Sequence, residues 1–237
     1  MNNIMNRILD LMFVREHKCC ICGLPAGEVL CDKCAASIPY LNGATCLKCG
    51  KGLNDAYNSS ICPDCSNTEY HFDMAYSCFE YKEAGKELIH KLKYEGKTEA
   101  AVFIARQMHY RLKDERLQID AIVPVPIHES KLRTRGFNQS YLIAKELGSL
   151  MDKPVYDCIC RIKETKNQYN LDRQQRFSNI QDAFSVKLGY NVNKYKRLLI
   201  VDDIYTTGST VNECSKVLKA RGNVHIYVIT AAAGTNT

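Results

Sequence analysis

The sequence predicts an α/β protein with a parallel, doubly wound sheet, preceded by a separate cysteine-rich module. Two observations support this prediction. Eight of the 13 cysteines fall in four Cys-x-x-Cys pairs between residues 19 and 65. From residue 71 onward, short apolar runs alternate with segments of helical spacing, which is the pattern of a parallel sheet covered by helices. A chain of 237 residues is long enough for both parts and for a sizeable core.

The four cysteine pairs predict structural zinc. Two intervening residues let both thiolates of a pair reach one Zn²⁺ at about 2.3 Å, and two pairs complete a tetrahedron. A stretch this short, with few large apolar residues, needs metal to fold, and four protein ligands leave no open position for catalysis. Sequential pairing predicts two ligand sets: Cys19, Cys22, Cys31 and Cys34, followed by Cys46, Cys49, Cys62 and Cys65.

Alternatives stay open for these cysteines. The spacing also allows an interleaved pairing or one vacant set, so we expect one or two zinc ions. A thioredoxin-like redox site and a disulfide framework are the competing interpretations, but no βαβ pattern surrounds the pairs. Gly23 and Gly50 follow the second cysteine of their pairs, where we expect a backbone with positive φ. The other cysteines are interpreted as small apolar residues: Cys20, Cys78, Cys158, Cys160 and Cys214.

The elements of the α/β part follow from the spacing of apolar residues. Helical spacing predicts helices over residues 83–93, 98–113, 140–150 and about 211–220. Apolar or alternating runs predict strands over residues 72–81, 119–125, 155–162, 198–201 and 224–230. Ligands of such a sheet bind beyond the carboxyl ends of its strands.

We expect three parts along the chain: an N-terminal amphipathic helix in residues 1–18, the cysteine module in 19–70 and the α/β domain in 71–237. The apolar stretch near the N-terminus contains Arg7 and Asp10 and falls short of the about 18 residues of a membrane span, so no transmembrane segment is expected. Thiols stay reduced in the cytoplasm, which is therefore the predicted location.

Residues 198–210 combine an apolar strand, two carboxylates and a loop of small hydroxyl residues. A helix N-terminus attracts anions, and hydroxyl groups add hydrogen-bond donors. Asp202 and Asp203 repel phosphate but suit sugar hydroxyls or hydrated Mg²⁺. Phosphoribosyl pyrophosphate (PRPP) with Mg²⁺ satisfies all of these features. Its 5-phosphate is expected on Thr206, Thr207, Gly208, Ser209 and Thr210.

A generic strand–turn–helix unit with an incidental pair of aspartates is the alternative for this segment. A P-loop is excluded, because its Gly-x-x-x-x-Gly-Lys pattern is absent from the chain.

Two basic segments are expected to hold the diphosphate of PRPP. The net charge is +6, and residues 131–176 contain ten basic and five acidic residues. Prolines stiffen the chain as it leaves strand 119–125, and forked guanidinium groups suit diphosphate oxygens. The polar residues 166–179 are expected to form a mobile lid. The predicted ligands are Pro124, Val125, Pro126, Lys131, Arg133, Arg135, Arg173 and Arg176.

Purely structural interpretations also remain open for these segments. Each arginine fits a surface salt bridge, and the basic surplus fits a solvated face. The stretch 166–179 fits an amphipathic surface segment.

Taken in order, the motifs resemble the ComF family. They are the cysteine pairs, Leu-Lys-Tyr-Glu-Gly-Lys at 92–97, Val-Pro-Val-Pro at 123–126, Arg-Gly-Phe-Asn-Gln at 135–139, Asn-Gln…Arg at 167–176 and Asp-Asp-Ile-Tyr-Thr-Thr-Gly-Ser-Thr at 202–210. The last also resembles the PRPP motif of type I phosphoribosyltransferases. This resemblance implies a type I phosphoribosyltransferase fold joined to a double zinc ribbon, and a role in uptake of single-stranded DNA during natural competence. Thr134 departs from the pattern, since relatives tend to carry arginine there.

Two functions are weighed on this basis. In the first, a nitrogen nucleophile displaces diphosphate from PRPP, with Asp202 and Asp203 as catalytic residues and the protein contributing position and complementary charge. In the second, the chain is a non-catalytic uptake factor that binds single-stranded DNA and a helicase partner through salt-dependent contacts. Release of pyrophosphate from PRPP distinguishes the two.

Overall fold

The computed structural model describes residues 17–53, 59–165 and 172–234. Residues 1–16 of the predicted N-terminal helix (1–18) lie outside the described residues, as does the first part of the predicted lid, residues 166–171. The boundaries of the three expected parts stay predictions.

The cysteine module consists of two short strands and two short helices, and each helix begins directly after a metal-ligand candidate. Strand β1 (His17–Lys18) pairs antiparallel with β2 (Pro25–Ala26). Helices α1 (Asp32–Ala36) and α2 (Pro63–Ser66) have Cys31 and Cys62 as their N-cap residues. Proline at the first position of α2 suits a helix start, because that position needs no N–H donor.

The α/β part contains the predicted alternation of strands and helices. In chain order its elements are β3 (Met74–Glu80), α3 (Glu83–Tyr94), α4 (Ala100–Leu112), β4 (Ala121–Pro124), α5 (Glu129–Arg135), α6 (Gln139–Met151), β5 (Ile159–Arg161), α7 (Arg173–Ile180), β6 (Phe184–Val186), a 3₁₀ turn (Val192–Lys194), β7 (Arg197–Tyr205), α8 (Ser209–Lys219) and β8 (His225–Ala233).

The main sheet is fully parallel and has the strand order β3-β8-β7-β4. On one face Leu199 and Val201 of β7 join the core formed with α3, α4 and α6. On the other face Leu198 and Ile200 pack in the core that contains α8. Both faces are therefore covered, which explains the continuous apolar run of β7 and confirms the predicted parallel, doubly wound fold.

The predicted strand 155–162 is only partly correct. Val155 makes a single parallel bridge to Ile122 beside β4. The chain then leaves the main sheet, and β5 pairs antiparallel with β6 in a separate two-stranded sheet. A short apolar run reveals a buried strand but not the sheet to which it belongs.

Strand β7 is longer than predicted, and α8 begins two residues earlier. Both aspartates of the motif therefore lie inside β7, before its carboxyl end at Tyr205. In the described ranges, no helix has the length and apolar character needed to cross a membrane.

Candidate functional site

Each predicted cysteine set converges on one point. Within each set the four sulfur atoms lie within 4.8 Å of one another. The Sγ–Sγ distance is 3.7 Å between Cys22 and Cys31, and also 3.7 Å between Cys49 and Cys62. A tetrahedron with Zn–S bonds of about 2.3 Å has edges of about 3.8 Å, so both sets fit Zn²⁺. The sequential pairing is confirmed, and the interleaved pairing is not the one formed.

The second cysteine set is part of the protein core. Cys46, Cys49 and Cys62 are buried in the same apolar cluster as Leu198 and Ile200 of β7, whereas Cys22 of the first set is exposed. Gly50 has the predicted positive φ of 69°, and a Cβ there would lie 2.6 Å from the carbonyl oxygen of Ala75. The backbone of this ribbon is therefore packed directly on β3.

The two aspartates of the motif are buried side by side and have different partners. Asp202 and Asp203 are only 7% and 4% exposed. The Ser140 hydroxyl donates to Asp202 Oδ1 at 2.9 Å, and Gln139 Nε2 donates to Asp203 Oδ1 at 3.2 Å. Lys93 of α3 forms an ion pair with the other oxygen of Asp203. The backbone N–H of Asp203 also donates to Asp202 Oδ1 at 2.9 Å, so one ion pair and three hydrogen-bond donors serve the two carboxyl groups.

Burial and neighbouring charges give the two aspartates different pKa values. Burial and the charge of Asp203 raise the pKa of Asp202 to about 8. Burial also acts to raise the pKa of Asp203, but the neighbouring Lys93 outweighs it and the pKa is lowered. At neutral pH the pair therefore holds one proton on Asp202 and one negative charge on Asp203, which Lys93 balances.

Lys93 is a site residue that the sequence analysis did not identify. It lies on α3 four residues after buried Ile89, so it projects from the edge of the apolar face. A lysine there looks like an ordinary boundary residue, because its partner Asp203 is 110 positions away in the chain. Its place in the 92–97 motif was the available signal.

The hydroxyl loop turns at a glycine. Gly208 has φ of 78° and caps α8, and a Cβ there would lie 2.6 Å from Tyr205 Cζ. The Thr207 hydroxyl donates to Ser209 Oγ at 3.1 Å, and both side chains are buried. Thr206 and Thr210 instead line a cleft at the carboxyl ends of the central strands.

This cleft has a volume of about 410 Å³. The backbone N–H of Val125 donates to the carbonyl of Val201 at 2.9 Å, and Asn138 Nδ2 donates to the carbonyl of Val125 at 3.0 Å, which pins one wall. Several predicted residues line it with the two aspartates: Val125, Pro126, Lys131, Arg135, Arg176, Thr206 and Thr210. The cleft thus combines cations and hydroxyls around a buried carboxyl pair.

Three predicted diphosphate ligands have other positions. Pro124 is the last residue of β4. Arg133 is largely exposed and pairs with Glu129 at 3.4 Å on α5, outside the residues that line the cleft. Arg173 is also outside this lining, and its guanidinium pairs with Asp64 of the cysteine module at 2.6 Å. A contiguous basic stretch does not reveal which cations face the same space.

Arg161 of β5 lines the cleft and was missed. Its guanidinium lies 5.5 Å from the ring centre of Phe184, and its buried Nε has no hydrogen-bond partner among the described residues. Its Nη2 donates to Thr165 Oγ1, and burial lowers the pKa of the guanidinium despite the nearby carboxyl group of Asp202. An anion in the cleft would compensate for this burial.

Known proteins resemble the chain in both of its parts. Residues 8–66 match the family model for a double zinc ribbon domain. Competence protein F of Haemophilus influenzae is 32% identical over 204 residues, which are 84% of this chain and 86% of that protein. DNA utilization protein YhgH of Salmonella typhimurium is 30% identical over 222 residues, covering 89% and 94%.

Among solved structures, adenine phosphoribosyltransferase of Trypanosoma brucei, in complex with AMP, pyrophosphate and ribose-5-phosphate, aligns with 59% of this chain and 66% of its own. The sequence identity is 12% and the TM-score is 0.38.

The sequence matches extend over both parts of the molecule. A stretch of 204 residues is longer than the α/β part, which begins near residue 71, so it includes cysteine-module residues as well. The similarity is therefore one of whole proteins, not of a single module. The chain belongs to the ComF family.

Proposed function

We propose that this chain is a PRPP-binding protein of phosphoribosyltransferase type that works in DNA uptake during natural competence. The observation that carries the proposal is the meeting of the Asp202–Asp203 pair, the hydroxyl loop and several cations in one cleft. The competence role is supported by the relatives, which are named competence protein F and DNA utilization protein.

In this proposal each part of PRPP contacts a different part of the cleft. The 5-phosphate lies at the loop 206–210, where the N-terminus of α8 favours an anion. The ribose hydroxyls lie at Asp202 and Asp203. The diphosphate is held by the cations that line the cleft: Lys131, Arg135, Arg161 and Arg176. Forked guanidinium groups match its paired oxygens.

The carboxyl pair fits an indirect role toward Mg²⁺. Asp203 is already paired with Lys93, and Asp202 holds a proton at neutral pH. Mg²⁺ keeps several waters and prefers phosphate oxygens, so the pair would meet it through water. When bound, Mg²⁺ supplies neutralisation of the negative charge on the departing diphosphate.

The reaction is a displacement at C1 of the ribose. The lone pair of a nitrogen nucleophile forms the N–C1 bond, the C1–O bond breaks, and its electron pair leaves with the diphosphate. The nitrogen gives up a proton to solvent, because the pKa of Asp203 is lowered by its ion pair with Lys93. The protein contributes positioning, and Asp203 stabilises the positive charge that develops on the sugar. Zinc is structural here, because each tetrahedral set uses four cysteines.

Both cysteine sets need reduced thiolates to bind zinc, which supports a cytoplasmic location.

Calorimetric titration of PRPP with Mg²⁺ into the zinc-loaded protein tests the proposal. We expect micromolar binding that Asp203→Asn combined with Thr207→Ala abolishes without unfolding the protein. Lys145→Gln removes an exposed cation on α6 that is not part of the cleft lining, and serves as the matched control with unchanged affinity. Binding that survives the double variant would overturn the assignment of the site. Pyrophosphate release with a panel of nucleobases and amines then identifies the acceptor class.

A second candidate is a non-catalytic factor that binds single-stranded DNA and a helicase. One observation favours it: Tyr94 is 67% exposed beside the cleft, with the Arg135 guanidinium 5.5 Å from its ring centre. Exposed aromatic rings next to cations are typical stacking platforms for bases. Salt-dependent binding of an oligonucleotide that Tyr94→Ala weakens, together with no pyrophosphate release, would favour this function.

A further inference from the structure

We propose that Tyr70 is a positioning residue that couples the second cysteine set to the hydroxyl loop, residues 206–210. Zinc bound by Cys46, Cys49, Cys62 and Cys65 thereby strengthens the binding of a phosphate ligand in the cleft. The identity of the ligand rests on the proposed function, whereas the coupling itself rests on contacts between the two parts.

The first contact joins Tyr70 to the loop. The Tyr70 hydroxyl donates to the carbonyl oxygen of Thr207 at 3.0 Å. Tyr70 is the last residue of the predicted cysteine module, four residues before the start of β3 and 137 positions from Thr207. Thr207 directly precedes Gly208, where the loop turns into α8. A hydrogen bond to this carbonyl therefore restrains the orientation of the peptide that enters the turn.

The second contact joins Tyr70 to the cysteine set through Arg173. Arg173 Nη2 donates to the Tyr70 hydroxyl at 3.1 Å and to Thr68 Oγ1 at 3.2 Å. Its Nη1 forms an ion pair with Asp64 at 2.6 Å. Asp64 lies on α2, between the ligands Cys62 and Cys65. The guanidinium thus links this ribbon turn to the tyrosine that holds the loop.

Neighbouring residues brace the same junction. The backbone N–H of His71 donates to Asn212 Oδ1 on α8 at 2.7 Å. The Phe72 ring stacks on Tyr70, with centroids 4.8 Å apart, and meets Tyr205 edge-on at 6.3 Å. Tyr205 is the residue that fills the space beside Gly208. Residues 70–72 therefore touch both the loop and the start of the helix that follows it.

The contacts that join the second cysteine set to the hydroxyl loop depend on metal binding. The turn 62–65 consists of two zinc ligands and the two residues between them, and such turns take their form when metal binds. Without zinc, Asp64 loses its fixed position, Arg173 loses this ion pair, and Tyr70 is no longer held against Thr207. Coupling between sites is reciprocal, so a ligand that orders the loop must also tighten zinc binding.

The test compares Tyr70→Phe, which removes only the hydroxyl, with Tyr156→Phe. Tyr156 also donates to a backbone carbonyl, that of Asn191 at 2.8 Å, which is not part of the loop. Ribose 5-phosphate and PRPP with Mg²⁺ are the probes. Loss of one hydrogen bond predicts roughly fivefold weaker binding of both probes by Tyr70→Phe, with zinc content unchanged. Tyr156→Phe should bind them like the wild type.

Zinc release to a coloured chelator is the reciprocal readout. Zinc release should show two phases. The second set should give the slower one, because its cysteines are buried, whereas Cys22 of the first set is exposed to solvent. PRPP should slow this phase several-fold in the wild type and hardly at all in Tyr70→Phe. Equal protection of the two proteins would overturn the coupling, since a merely structural role of Tyr70 does not change linkage.

Hydrogen exchange of the amides in 206–210 separates this proposal from the proposed function, because it needs no ligand. Faster exchange in Tyr70→Phe and in Arg173→Gln supports the coupling. If PRPP does not bind the wild type, that result contradicts the proposed function alone and leaves the coupling supported. Unchanged exchange in both variants, with native circular dichroism, overturns the coupling whatever the ligand.

Discussion

Lys93 of α3 and Asp203 of β7 form an ion pair that is largely withdrawn from water. Burial acts to lower the pKa of Lys93, but the carboxylate outweighs it and the pKa is raised. Since one cation faces two buried carboxyl groups, the charge balance of the site depends on this lysine. Asp202 is consequently the member of the pair that keeps its proton.

Asp202 should make stability depend on pH. Its pKa is about 8 in the folded protein and near 3.8 when exposed, so the stability it adds is full below about pH 4 and is lost as pH rises to about 8. Asp202→Asn mimics the protonated acid and removes this pH dependence of the free energy of unfolding. The slope that it removes is at most about 1.4 kcal/mol per pH unit. Urea unfolding of both proteins at pH 5, 6.5 and 8 measures it.

The difference between the two proteins isolates Asp202 from other titrating groups. Asp203 contributes little to the slope in this window, because its pKa lies below the ordinary value. Parallel stability profiles between pH 5 and 8 would show that Asp202 is ionised in the folded protein.

Lys93→Met should destabilise the protein strongly. Removing one partner of a buried pair leaves an uncompensated charge, at a cost of about 3–5 kcal/mol. Lys91→Met is the matched control two residues earlier on α3. Its partners Glu87 and Glu95 are exposed, whereas Asp203 is buried, so we expect a much smaller loss of stability from this substitution. Urea unfolding at pH 7 gives both values, and similar losses would argue against a charge role for Lys93.

Gly208→Ala should damage the loop more than a positive φ alone explains. A left-handed backbone costs alanine about 1–2 kcal/mol, and contact with the Tyr205 ring adds about 1–3 kcal/mol. Gly189→Ala is the control, because Gly189 has φ of 82° and a methyl group there would meet nothing within 4 Å. Thermal unfolding and ribose 5-phosphate titration compare them. Equal effects of the two substitutions would remove Tyr205 from the explanation.

The two cysteine sets should differ in their importance for the fold. We expect two zinc ions per chain by elemental analysis, and one after either Cys22→Ser or Cys62→Ser. Cys62 is fully buried beside the strands of the main sheet, so its loss should lower the midpoint of thermal unfolding much further than the loss of exposed Cys22. Equal losses of stability would show that the second set is not integral to the core.

The sequence by itself determined whatever depends on local spacing. Two residues between cysteines dictate a knuckle, and a glycine follows the first pair of each set, so the four pairs could be predicted from spacing. The choice between sequential and interleaved pairing could not. Apolar periodicity located α3, α4 and α6 within two residues, because each helix buries one face. The order of motifs was sufficient to predict the family.

Only the tertiary structure decided which charges meet. Arg161 and Arg173 look alike in the sequence, yet one lines the cleft and the other binds Asp64 of the cysteine module. Asp202 and Asp203 were expected at a strand end, whereas they lie inside β7, where Lys93 and Ser140 compensate their burial. Long-range ion pairs have no periodicity along the chain, because they are set by how separate elements pack.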